Sequence, residues 1–87
     1  DDIAADLEQL LSHTEEQRWE DAGAAVRQLG EAWRHVRGRV RLSSAFEEVE
    51  AFDLELAGLQ GALESGDASQ TRIAVRRLLA LWEDIGS

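Results

Sequence analysis

Residues 19–40 read WEDAGAAVRQLGEAWRHVRGRV, and the spacing inside this stretch decides the fold. Trp19, Ala22, Val26, Leu29, Trp33, Val36 and Val40 recur in steps of three and four without a break. A helix completes a turn every 3.6 residues, so that rhythm gathers all seven on one side. Acidic, basic and small residues fill the positions between. The segment therefore reads as an amphipathic helix whose apolar stripe needs a partner.

Working outward, the same rhythm returns three times. Leu42, Ala45, Val49, Phe52, Leu56, Leu59 and Leu63 hold it, as do Ala68, Thr71, Val75, Leu78, Trp82 and Ile85. Toward the N-terminus it is shorter, with Ile3, Leu7, Leu10 and Thr14. The breaks carry capping chemistry. Ser44 followed by Glu47 reads as a capping box. Gly66 suits the left-handed residue after a helix end, and Asp67 can cap the next helix with Gln70 in support. Gln17-Arg18 lacks a glycine, and a turn is placed there because Trp19 must point back at Leu7 and Leu10. Four helices are expected, at about 2–16, 18–41, 44–65 and 68–85, with ends good to about 2–4 residues.

Sliding the chain by 49 residues lays one half on the other. Ala25-Val26-Arg27-Gln28-Leu29 falls on Ala74-Val75-Arg76-Arg77-Leu78, Trp33 on Trp82, and Val36 on Ile85. Upstream, Leu7 meets Leu56, Leu10 meets Leu59 and Glu15 meets Glu64, with no gap. Any two amphipathic hairpins in phase would match at their leucines. A shared Trp and a shared Arg between stripe positions point further, to a repeated hairpin. The fold class is thus all-α, one domain over 1–87, with hairpin 1 at about 2–41 and hairpin 2 at about 44–85. A hairpin of this size cannot bury its stripe alone. Closure into an antiparallel four-helix bundle is the expected architecture, with a stacked pair of hairpins as the alternative.

Composition agrees. The chain has no proline, and a β-rich domain of 87 residues would spend several on turns. Ala, Leu, Glu, Gln and Arg, all good helix formers, are abundant. An apolar share of 44% supports a packed core despite a net charge of −9. The absence of cysteine excludes disulfides and thiolate metal sites. No apolar run approaches the roughly 20 residues of a membrane span. The chain begins at Asp1, and the expectation is a fragment or mature form whose preceding segment held a signal or an anchor.

Each candidate for chemistry has a structural competitor. Trp19, Trp33 and Trp82 can stack ligands or bases, but all three sit at core spacing. Arg34, His35, Arg37, Arg39 and Arg41 form the one basic cluster. Arg forks receive carboxylates or phosphates, while cations at a helix C-terminus also offset its dipole. Within the cluster, Arg34, Arg37 and Arg41 are the candidate partner-binding residues. Nucleic acid is excluded as a partner, because the net charge repels a phosphate backbone. Glu47, Glu48, Glu50, Asp53 and Glu55 lack the loop geometry of a calcium site and read as a solvated face. Asp53, beside Phe52 at the stripe's edge, is expected to pair with an Arg from a neighbouring helix. His13 with Glu16, and Glu31 with His35, supply two ligands at most, so no metal or cofactor is expected. No phosphate loop, nucleophile elbow or Ser-His-Asp order is present, and the chain reads as a non-enzyme. Leu54, Leu79 and Leu81 lie off the strict stripe and allow a homodimer.

Trp19-Glu20-Asp21-Ala22, then Leu29-x-x-x-Trp33, then Phe46-Glu47-Glu48-Val49 resemble a bacterial domain-of-unknown-function family across most of residues 15–85. Its members carry one N-terminal membrane segment followed by a Trp-containing all-helical domain. The chain departs from that pattern at Gln17-Arg18, where the family often has Gly-Asp, and near Ser43 and Ser44, where a His is missing. The resemblance carries over no functional residue. It implies an extracytoplasmic domain, held near a bacterial membrane by a segment outside this chain. The reading that results is a non-catalytic interaction module with a protein partner. The alternative is a small-molecule sensor or carrier with an apolar pocket between the hairpins, near Trp33 and Trp82.

Overall fold

The computed structural model describes residues 2–42 and 46–86, apart from the side chains of Arg41 and Leu42. Four helices follow one another: α1 (Ile3–Glu15), α2 (Trp19–Leu42), α3 (Phe46–Glu64) and α4 (Ala68–Gly86). Each stripe named above becomes the buried side of its helix. Ile3, Leu7, Leu10 and Thr14 are buried on α1, and Val49, Phe52, Leu56 and Leu59 on α3. From α2 come Ala22, Val26, Leu29 and Trp33; from α4 come Thr71, Val75 and Leu78.

Packing closes a ring. Helix α1 lies against α2 and α4, and α3 lies against the same two, while the diagonal pairs make no comparable contact. Contact between α1 and α4 brings the first and last helices together, as in an up-down-up-down bundle. The result measures 37 × 20 × 19 Å. Its long dimension matches α2, whose 24 residues span about 36 Å at 1.5 Å each. Helix α1, at 13 residues, reaches only about 20 Å. Past Ile3 the bundle therefore continues on three helices.

Hairpin 1 and hairpin 2 turn in the same way, bond for bond. In the first, the N–H of Gln17 donates to the Thr14 carbonyl and that of Arg18 to His13. In the second, Gly66 donates to Leu63 and Asp67 to Ala62, each 49 positions on. This is the Schellman pattern, which satisfies carbonyls left open at a helix end. It needs one left-handed residue. Gly66 supplies it at φ 65°, and Gln17 supplies it at φ 58° with a side chain attached. The turn at Gln17-Arg18 is thus real, though it lacks the glycine that marks its counterpart. Beyond each turn the next helix starts alike, with Ala22 donating to Arg18 and Thr71 to Asp67. The Asp67 carboxylate accepts from the Gln70 N–H at 3.0 Å, the cap read from sequence. At the chain's start the Asp2 carboxylate caps α1 through Ala5 at 3.1 Å. The Ser44 capping box falls outside the described residues.

Candidate functional site

Two features stand out on this frame, one inside the bundle and one outside. The inner one forms where α2, α3 and α4 continue past the start of α1. Trp33 of α2 stacks on Phe52 of α3 with ring centroids 4.0 Å apart, and Trp82 of α4 meets both edge-on at 6.4 and 6.5 Å. Stacked and edge-to-face rings are favourable beyond their buried area. Trp33 is only 2% exposed, so its indole N–H must find an acceptor inside the protein.

Asp53 provides it. Its Oδ1 accepts from Trp33 Nε1 at 2.7 Å and from Arg37 Nε at 3.3 Å, and its Oδ2 accepts from Arg37 Nη2 at 2.6 Å. The Arg37 fork thus grips the carboxylate in bidentate fashion, fixing α2 to α3. The hydrogen bond to Asp53, then its negative charge, raise the Arg37 pKa above its usual value. That guanidinium stays charged. The expected partnership between Asp53 and an Arg of another helix is present.

This arrangement redistributes the basic cluster. Arg34, Arg37 and Arg41 share one side of α2 by spacing, yet Arg37 is engaged with Asp53. Arg34 is exposed, and the Arg41 side chain lies outside the described residues. Phe52 occupies the space between Trp33 and Trp82 where an apolar ligand pocket would lie. Trp19 is half-buried beside the first turn, against a groove of about 350 Å³ that Leu63 also lines. Between α1 and α2, Asp2, Asp6, Glu31 and His35 border a polar notch. Among the described residues, no three His, Asp or Glu side chains are placed to hold a metal ion.

The outer feature lies on α3 and α4, facing away from the bundle. Ala51, Leu54, Ala80 and Leu81 line an open groove of about 560 Å³. An Arg77–Glu55 pair at 3.7 Å crosses it, and Asp84 stands further along α4. Leu54 is 77% exposed. Of the three leucines read as off-stripe, Leu79 and Leu81 are half-buried against the core, and Leu54 alone stands free of it. Ile73, one turn before Arg77 on α4, is also exposed, a position that the stripe reading passed over. Its signal was present: Ile73 sits two places after Thr71, off the three-four rhythm.

No family model, curated protein or solved structure matches the chain. The likeness across residues 15–85 rests on its motifs alone. What the domain does must be argued from these two features. The inner one uses its polar groups on one another, and the outer one leaves apolar surface uncovered. No helix among the described residues is long and apolar enough to cross a membrane.

Proposed function

We propose that this domain is a non-catalytic helical interaction module whose working surface is the outer groove between α3 and α4. The observation that carries the reading is Leu54, a large aliphatic side chain 77% exposed beside a groove floored by small and apolar residues. A lone exposed leucine is ordinary, but here it stands beside an open apolar groove rimmed by charge, an arrangement that offers a contact surface. The tight polar cluster Trp33–Asp53–Arg37 supports the same reading, because its donors and acceptors are spent on joining α2 to α3. An extracytoplasmic position, with an anchor outside the chain, belongs to the proposal through the family resemblance.

A photo-cross-linking residue placed at Leu54, with a control at the exposed Gln28 on α2, tests the surface in cells. The expected outcome is a discrete adduct from position 54 and none from position 28. Absence of any adduct from position 54 counts against the reading.

A further inference from the structure

We propose that the groove between α2 and α3, beside the first turn, is a binding site for a small organic carboxylate with a flat apolar body, such as an aromatic acid. It shares no lining residue with the outer groove and stands independently of it.

The groove holds about 350 Å³, room for a ring and a short acid arm. Trp19, Val26 and Leu63 give it an apolar wall, with Trp19 half-buried along it. Gly23 keeps it open. A Cβ placed there would meet nothing nearer than Arg27 Nη1, at 3.8 Å. That distance also sets the Arg27 guanidinium beside the gap, one turn along α2 from Trp19. Neighbouring helices of the bundle run antiparallel, so Arg27 and Gln60 lie toward one end of the groove. Trp19 and Glu64 lie toward the other. Among the described residues, the side chains of Arg27 and Gln60 hold no hydrogen bond or ion pair. Arg18, Arg37 and Arg77, by contrast, are each paired with a carboxylate. A guanidinium fork and an amide N–H at one end suit a ligand carboxylate, and the indole with Leu63 suits its ring. Glu64 at the far end orients the ligand, turning its acid away.

The repeat separates this groove from ordinary packing. Val26 and Val75 are equivalent and both buried, as a shared core requires. The groove's other residues are not shared. Ala68 stands opposite Trp19, Arg72 opposite Gly23 and Leu11 opposite Gln60. The junction of α4 with α1 therefore has neither the indole, nor the gap, nor the amide. A net charge of −9 does not draw an anion from afar, but salt at physiological strength limits that field to about 8 Å. Contact at Arg27 decides the outcome. A ligand of about ten heavy atoms then binds with a Kd on the order of 1 mM.

Proton–nitrogen correlation spectra of the whole chain, titrated with phenylacetate to about 20 mM, test the site. The Trp19 indole N–H signal, assigned as the one missing from Trp19→Phe, should shift and saturate. Phenylacetamide, the same body without the charge, should bind about fivefold more weakly or worse, and so should phenylacetate to Arg27→Gln. Gly23→Leu fills the gap and should abolish the shift, while unmoved Trp33 and Trp82 indole signals report an intact bundle. The proposal is overturned by a Trp19 signal that never saturates or by an amide that binds as well as the acid. Wild-type affinity in Arg27→Gln overturns it too, whatever Gly23→Leu does to the fold. The tripeptide Gly-Gly-Phe, titrated alongside, distinguishes two sources of the same chemistry. Tighter binding than phenylacetate assigns the site to a chain's C-terminal residue, and weaker binding to a free acid.

Discussion

Replacing Asp53 with Ala leaves the Trp33 N–H without its carboxylate acceptor, and the size of the effect follows from where that group sits. The indole is 2% exposed and its bond to Oδ1 is 2.7 Å, whereas the Asp53 side chain is 38% exposed, so water entering the vacated space replaces the carboxylate only in part. A hydrogen bond to a charged acceptor contributes about 1.5–3 kcal/mol, and partial exposure of this one places it toward the lower part of that range. The Arg37 arm adds little, since its side chain and that of Asp53 are 34% and 38% exposed and solvent screens the pair. The expected loss for Asp53→Ala is therefore about 2 kcal/mol, or roughly 8–16 °C in Tm for a domain of this size. Asp53→Asn keeps an acceptor oxygen for Trp33 and should fall nearer the wild type. Arg37→Ala, which leaves the Trp33 bond intact, should be the mildest of the three. Urea unfolding followed by far-UV CD measures all three, and Trp fluorescence reports the Trp33 environment directly. If Asp53→Ala lies within about 0.5 kcal/mol of wild type, or Arg37→Ala matches it, the indole bond is not what holds α2 to α3 here.

The remaining predictions use the repeat and a buried hydroxyl without a partner. Gln17→Gly should stabilise the domain by about 0.5–1 kcal/mol, because φ 58° strains a residue with a Cβ. Gly66→Ala, at the equivalent position with open space around it, should destabilise by about 1 kcal/mol. Thermal unfolding of both checks the opposite signs, and equal signs would remove the equivalence of the turns. Thr71 is fully buried and its Oγ1 finds no acceptor, so Thr71→Val should raise stability by about 1 kcal/mol in urea titration. Thr14, whose hydroxyl donates to the Leu10 carbonyl at 2.9 Å, should not gain from the same exchange.

Much of the bundle was legible because periodicity records burial directly. The helix from Trp19 was placed within a residue of its start, and Gly66-Asp67 announced both an ending and a beginning. Closure of the ring was an inference from unsatisfied stripes, and the α1–α4 packing bears it out. The Asp53 partnership could be anticipated from its place at the stripe's edge, but not its bond to Trp33. Two residues 20 apart reveal their contact only once the crossing of α2 and α3 is known. For the same reason Arg37 read as a surface cation beside Arg34, although the register turns it toward α3. Leu54, Leu79 and Leu81 looked alike along the chain. Their fates differ because α4 is flanked by α1 and α3, which leave Leu79 and Leu81 half-covered, whereas Leu54 faces outward from α3.

The matching turns have a consequence for how this chain tolerates change. Two hairpins that bend through the same hydrogen bonds have the symmetry of a pair and the connectivity of a single molecule. A tether of a few residues holds the second hairpin near the first at an effective concentration on the order of millimolar. Separate hairpins would have to meet by diffusion and would dissociate with each small defect in their contact. Linked ones need not. The halves differ within that slack: Gln17 at positive φ stands opposite Gly66, and Thr14 opposite Leu63. Linkage lets one turn carry the strained residue that its counterpart avoids.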